Sequence, residues 1–329
     1  MMEFINKSLI IIFVLLVLGL NPAIAGKLNI VTTLPSLASI TESIGGDYVD
    51  VYSITRGAQD AHYIEAKPSY MVRLSKADLL IYSGLELEIG WLPLLIQGAR
   101  NNKVAVGSKG NLNASSVIPV DNILEKPHGE VDRSMGDVHP GGNPHYLLNP
   151  NNAVLVADLI AERIKELDTE HKAQYNQNLS QFKETLKSKI QELENQASQL
   201  QNQNIVCYHV HWSYLLNWLK LNQKGYIELR PGIPPTPKHK QEIISLIKEN
   251  QVKVIIVSSW KEPAKAREVA NATGAKLLIL PGEVNAMKGS ESYIQWIEYM
   301  VTQLAEAYGL NSPSKRLRHR HHERERGQQ

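Results

Sequence analysis

The stretch Asp168–Asn204, DTEHKAQYNQNLSQFKETLKSKIQELENQASQLQNQN, decides how the rest of the chain is read. It is long, polar and free of glycine and proline. Its apolar residues Tyr175, Leu179, Phe182, Leu186, Ile190, Leu193, Ala197 and Leu200 recur in steps of three and four, which sets them on one narrow stripe of a helix. Lys, Glu, Gln and Asn fill the other faces. At about 1.5 Å per residue such a rod is roughly 50 Å long, more than the width of a small domain, so it can touch two lobes in succession. Two readings fit: a spine between two lobes, or one strand of a dimeric coiled coil. The stripe has heptad-like spacing but lacks the opposed charge pairs that set coiled-coil partners.

The flanks choose the spine. Before it, strand and helix alternate: Lys27–Thr32, a helix near Leu37–Ile44, Val49–Ile54, a helix over Pro68–Lys76, Leu79–Tyr82, a helix around Trp91–Ala99 and Val104–Val106. After it the pattern returns with Ile205–His209, a helix near Tyr214–Leu219, Gly225–Ile227, a helix over Pro237–Asn250, Val252–Ser258, Pro263–Thr273, Lys276–Leu280 and a last helix over Ser292–Tyr308. Alternation of this kind means parallel sheets. The expected fold is therefore α/β: two lobes with mainly parallel sheets, residues 26–167 and 205–311, joined by one long rigid helix over 168–204. In such sheets ligands bind beyond the carboxyl ends of the strands, so the cleft between the lobes is the place to look for chemistry. A rigid spine also implies that ligand binding shifts the lobes little.

The ends of the chain are different in kind. Lys7, an apolar run from Leu9 to Leu20 and the small-residue pattern Ala23-Ile24-Ala25 read as a secretory signal peptide over residues 1–25, cleaved after Ala25. No cysteine follows the apolar run, so a lipid anchor is not expected, and the protein is read as periplasmic. Cys207 is the single cysteine and cannot form an internal bridge, so the fold rests on packing. The net charge of +2 gives no footprint for nucleic acid. Residues 312–329, with His319, His321 and His322 among arginines and glutamates, read as a disordered tail.

Three histidines sit where the cleft argument wants them. His62 follows the strand Val49–Ile54, His145 stands in Gly-Gly-Asn-Pro-His-Tyr before a helix, and His209 ends the first strand of the second lobe. A lone histidine at a strand end is more often a hydrogen-bonded structural residue. Three from both lobes make a stronger case, because imidazoles converging with one oxygen donor form a tetrahedral site suited to Zn²⁺. His128 and His139 lie in the Glu125–Gly142 loop, whose Gly, Pro, Asp and Glu mark it as a solvated surface loop with at most a modest metal-gathering role.

Four segments carry a resemblance: Ala61–Pro68, Ala77–Gly84, Asn143–Pro150 and Tyr208–Tyr214. They resemble the metal-binding solute-binding proteins of bacterial ABC importers, in order and spacing, across nearly the whole mature chain. Gly225–Pro237 is similar to one branch of that family. The resemblance implies two α/β lobes on one long helix, a zinc, manganese or iron ion in the cleft, and delivery to a membrane permease by a single-chain carrier. It places His62 and His145 on the first two ligand positions and His209, three residues before Trp212, on the third. Manganese-selective members have Glu there, so nitrogen tilts the choice to Zn²⁺, with Mn²⁺ second. The fourth position is usually an aspartate after the last strand. Here Glu283 is the nearby carboxylate, with water as the alternative. His211 is expected in the turn after the strand, pointing away from the cleft; the contrary reading is that the turn swings it back, to support a ligand or to stand as the fourth ligand in place of Glu283. A zinc hydrolase is the contrasting reading, but there is no His-Glu-x-x-His, and Asp60 and Glu65 read as ordinary loop residues.

Overall fold

The computed structural model describes residues 26–127, 138–228 and 233–310. The expected signal peptide, His128 in the 125–142 loop, residues 229–232 and the tail lie outside the described residues. Strands β1 (Leu28–Thr32), β2 (Val49–Ser53), β3 (Leu79–Tyr82) and β4 (Asn111–Asn113) form one parallel sheet in the order β2-β1-β3-β4. Strands β5 (Asn204–Cys207), β6 (Asn222–Tyr226), β7 (Val254–Ser258) and β8 (Lys276–Leu280) form a second, in the order β6-β5-β7-β8. Each lobe thus reverses its winding direction beside its first strand. Loops leaving the two strands at that point diverge and open a crevice.

The helices are α1 (Pro35–Gly45), α2 (Pro68–Leu74), α3 (Leu92–Ala99), α4 (Pro150–Leu167), α5 (Lys172–Ala197), α6 (Ser213–Trp218), α7 (Pro237–Glu249), α8 (Ala264–Thr273) and α9 (Tyr293–Ala307). Several begin with proline in the first turn, where its missing N–H costs nothing, and Asn149, Thr236 and Ser292 cap their helices through side-chain oxygens.

Strand periodicity sorts the core. Ile30, Leu79 and Ile81 of the first sheet, and Ile205, Cys207, Val254 and Ile256 of the second, face one shared core. Their alternating neighbours Val31 and Leu80, and Val206, Ile255 and Val257, face two separate outer cores. The shared core runs along α5, whose Tyr175, Phe182, Leu186, Ile190, Leu193 and Ala197 are buried against α1 and α4 on one side and α9 on the other. The apolar stripe is therefore consumed within the chain and is not a coiled-coil seam. Lys183 ties the spine to Asp158 of α4 at 2.6 Å, and Lys189 ties it to Glu298 of α9 at 3.1 Å.

The spine is shorter than the expected 168–204 span. Its 26 residues give about 39 Å, extended by a 3-10 turn at Ser198–Leu200. Asp168 instead closes α4, and its carboxylate accepts from His171 Nδ1 at 2.7 Å and Tyr175 Oη at 2.6 Å, which makes a tight corner between α4 and α5. The expected strand Val104–Val106 is also corrected. Asn102–Val104 is a 3-10 turn, Val106 is exposed, and the edge strand is Asn111–Asn113, where only Leu112 is buried. One apolar residue in three gives no periodicity to read.

Candidate metal centre

The lobes meet through backbone as well as side chains. Gly57, in the loop after β2, lies so close to the loop after β8 that a Cβ would stand 2.3 Å from the Val284 carbonyl oxygen and the Ala286 nitrogen. Tyr293 donates its N–H to Ser39 Oγ at 2.9 Å and its hydroxyl to the Leu147 carbonyl at 2.6 Å. Asn143 donates to the Val210 carbonyl at 3.2 Å and to Glu125 at 2.7 Å. These contacts hold the strand ends of both lobes face to face.

Each histidine is delivered by a local device. The loop carrying His62 is pinned by Trp91, whose indole N–H donates to the Ala61 carbonyl at 2.8 Å. Asp60 accepts both the His62 backbone N–H at 3.2 Å and its Nδ1–H at 2.7 Å. His145 follows an Asx turn in which Asn143 Oδ1 accepts its N–H at 2.9 Å, and it precedes the 3-10 turn Tyr146–Leu148. His209 continues the extended backbone of β5, and its Nδ1–H donates to Glu228 at 2.6 Å. Assigning Nδ1–H toward each carboxylate leaves Nε2 of His62 and of His209 as the bare nitrogen, the arrangement by which carboxylates orient metal-binding imidazoles.

One lysine braces both pairs. Lys261 lies 3.5 Å from Asp60 Oδ2 and 3.4 Å from Glu228 Oε1, the oxygens not used by the histidines. Burial would raise the Asp60 carboxyl, but His62 and Lys261 hold it well below the usual carboxylate range. Burial would lower the Lys261 ammonium, and Glu228 and Asp60 outweigh it to raise the value. Two carboxylates and one ammonium sum to a formal charge of −1 beside the imidazoles, which favours a cation.

The rings stand close together. Centroids are 5.3 Å apart for His62 and His145, 6.2 Å for His62 and His209, 5.2 Å for His62 and His139, and 4.2 Å for His145 and His211. Two imidazoles on one tetrahedral Zn²⁺, with Zn–N near 2.0–2.1 Å, have centroids roughly 5 Å apart. The nitrogens themselves do not converge as they stand: among the described residues no three His, Cys, Asp or Glu side chains frame a metal position. His62 Nε2 faces His139 Nε2 at 3.1 Å, so this nitrogen is turned onto another imidazole.

Deeper in the cleft the surroundings change. His145 Nε2 and His211 Nδ1 are shut off from solvent and have no hydrogen-bond partner among the described residues. Burial, with the neighbouring histidines, pushes His145 well below the ordinary imidazole value. Burial and His209 push His211 down to about 3, so both rings are neutral. Glu283 forms part of the same wall, but its carboxylate accepts from Ser36 N at 3.1 Å, Ser36 Oγ at 3.0 Å and Val284 N at 2.9 Å. Those donors lie at the N-terminus of α1, where a carboxylate is welcome. Burial still raises Glu283 to about 7.

Measured against the sequence, His62, His145 and His209 do come together, and Glu283 lies beside them with its oxygens directed to Ser36. His211 occupies the expected turn, Val210–Trp212, but its ring is turned into the cleft against His145 rather than away. The 3-10 turn swings the side chain back to the side that His209 faces instead of carrying it away. Asp60 is no ordinary loop residue, His139 reaches the cluster, and Glu228 and Lys261 were not anticipated. The only signal for Asp60 is its position two residues before His62. For Lys261, which joins residues of both lobes, the linear sequence carries none.

Comparison with known proteins accords with this architecture. Residues 30–307 match the family described as Zinc-uptake complex component A periplasmic. The iron-binding protein YfeA of Yersinia pestis is 26% identical over 303 residues, spanning 88% of this chain and 89% of the relative. The manganese ABC transporter substrate-binding lipoprotein PsaA of Streptococcus pneumoniae is 26% identical over 321 residues, 92% and 98% of the two chains. Among solved structures, the crystal structure of ZnuA superposes with a TM-score of 0.69 at 23% identity, covering 85% of this chain and 98% of that one. The laminin-binding adhesin Lmb of Streptococcus agalactiae gives 0.67 at 26% identity, covering 84% and 98%. The chain belongs to the Zinc-uptake complex component A family, the substrate-binding proteins of metal ABC transporters, which are carriers and not enzymes.

Proposed function

We propose that the protein captures Zn²⁺ outside the cytoplasm, in the cleft between lobes 26–167 and 205–311, and hands it to an ABC import permease. His62, His145 and His209 are the ligands, acting through Nε2, and the 168–204 segment keeps the lobes in register. The observation that carries this reading is the pair of carboxylate-oriented imidazoles, one from each lobe, close to a third imidazole whose buried Nε2 has no hydrogen-bond partner among the described residues. Zinc is preferred to manganese because the nearby carboxylates are committed: Asp60 and Glu228 to histidines, Glu283 to Ser36. Imidazole suits Zn²⁺, and carboxylate with water suits Mn²⁺. The relatives named for iron and manganese make the metal the point to test. Export follows from the signal peptide read over residues 1–25, and the protein acts as a soluble periplasmic monomer.

Affinity order in vitro follows the general divalent series and does not discriminate. The decisive quantity is the metal carried by protein recovered from its own periplasm, grown with equal zinc and manganese. About one zinc per chain is expected. Manganese or iron in its place overturns the zinc assignment while leaving the carrier reading intact.

A further inference from the structure

We propose that His211 supplies the fourth metal ligand, through Nδ1, so that the bound ion is held by four imidazoles and no carboxylate. The inference rests on the cleft site proposed above and names the donor that completes it.

Three observations converge on that nitrogen. His211 is 3% exposed and its Nε2–H donates to the Gly282 carbonyl at 3.1 Å, which fixes the tautomer and leaves Nδ1 as a bare lone pair. That Nδ1 has no partner among the described residues, and neither has His145 Nε2 on the ring 4.2 Å away. A buried polar nitrogen left without a partner is costly, so two on adjacent rings call for a common partner. A bare imidazole nitrogen on His211, close to a second ring whose buried nitrogen has no partner among the described residues, suits a cation.

The ring is also held in place for this role. Trp212 and Trp260 stand edge-on to it, at centroid distances of 4.6 and 4.9 Å. Gly282 makes room for Trp260: a Cβ there would lie 2.0 Å from the indole ring. The backbone of Gly282 thus both orients His211 and admits the aromatic wall behind it. Glu283, the next residue, is the competing candidate. Its carboxylate is bound by three donors from Ser36 and Val284, and recruiting it would strip the N-terminus of α1 of its acceptor.

His211→Gln separates ligation from structure, since the Gln side-chain amide can still donate to the Gly282 carbonyl but offers no lone pair at the Nδ1 position. The probes are Zn²⁺ alone, titrated against a chelator, and X-ray absorption of the zinc-loaded full chain. The wild type is expected to show four imidazole nitrogens. His211→Gln should show three and lose more than about 100-fold in affinity, beyond the roughly 10- to 100-fold typical of an outer-shell partner. Glu283→Gln should keep four. Three imidazoles in the wild type, an unchanged His211→Gln affinity, or loss of a ligand in Glu283→Gln would each overturn the assignment. Apo melting temperatures show whether His211→Gln is folded. If it is not, His211→Ala and the wild-type imidazole count carry the test. A wild type that binds no zinc would instead bring down the cleft site itself.

Discussion

The two halves of the histidine cluster are built on different principles. His62 and His209, one from each lobe, each donate Nδ1–H to a carboxylate, and Lys261 bridges the two carboxylates. His145 and His211 have no carboxylate partner, and burial keeps them neutral. The outer pair is oriented by charge and the inner pair by packing. On the proposed site this contrast lets one cleft attract a cation and still offer it neutral nitrogens, because the charge sits behind the imidazoles, on Asp60 and Glu228.

Substitutions behind the outer pair test this first. Asp60→Asn and Glu228→Gln remove the acceptor charge that orients His62 and His209, and each should weaken zinc binding by roughly 10- to 100-fold in a chelator competition. Lys261→Met touches only the carboxylates, so its effect should be smaller, below about tenfold. If Lys261→Met costs more than either carboxylate variant, orientation by the carboxylates is not what matters. Proton competition sharpens the contrast. Affinity should fall below roughly pH 6 because protonated imidazole cannot bind, and burial opposes protonation of the inner rings.

The inner half makes a smaller prediction through Glu283. Its carboxyl is raised from the ordinary 4.5 to about 7 by burial, so between these values the folded chain holds the proton more tightly than the unfolded chain does. The sign follows: this group's contribution to stability is greatest below about pH 4.5 and declines as pH rises through 7, by on the order of 3 kcal/mol. Glu283→Gln should flatten that slope in apo melting curves and leave zinc affinity within about threefold. An unchanged slope would mean that the Ser36 and Val284 donors stabilise the carboxylate more than burial opposes it.

The same contrast governs what the sequence discloses. The spine was legible because helical periodicity is a local property: every residue of the stripe is buried except Leu179, which is half-buried. The strands entering both sheets were legible for the same reason, apart from β4 and the polar start of β6, Asn222–Lys224, which lies before the expected Gly225–Ile227. His62 and His209 were reachable because strand ends in parallel sheets point to one edge, and His145 through the Asn143–Pro150 resemblance. The supporting residues were not. Asp60 and Lys261 meet across the lobes, Glu228 meets His209 only through the pairing of β5 with β6, and no period links them. His211 was misdirected because the turn after the strand was expected to carry its ring away from the side that His209 faces, whereas the 3-10 turn swings it back. His139 was hidden by a loop whose composition reads as solvated. Local order can be read along the chain, whereas charge networks need the fold.

The central claim is that His62, His145 and His209 hold one zinc ion between the lobes. Chelator-competition titration of the wild type beside the triple variant His62→Ala/His145→Ala/His209→Ala tests it most directly, with His171→Ala, in the corner before the spine, as a control for histidine loss outside the cluster. One tight zinc per chain is expected in the wild type and in His171→Ala, with affinity lost by orders of magnitude in the triple variant. Equal affinity in the triple variant would place the metal elsewhere and contradict the account.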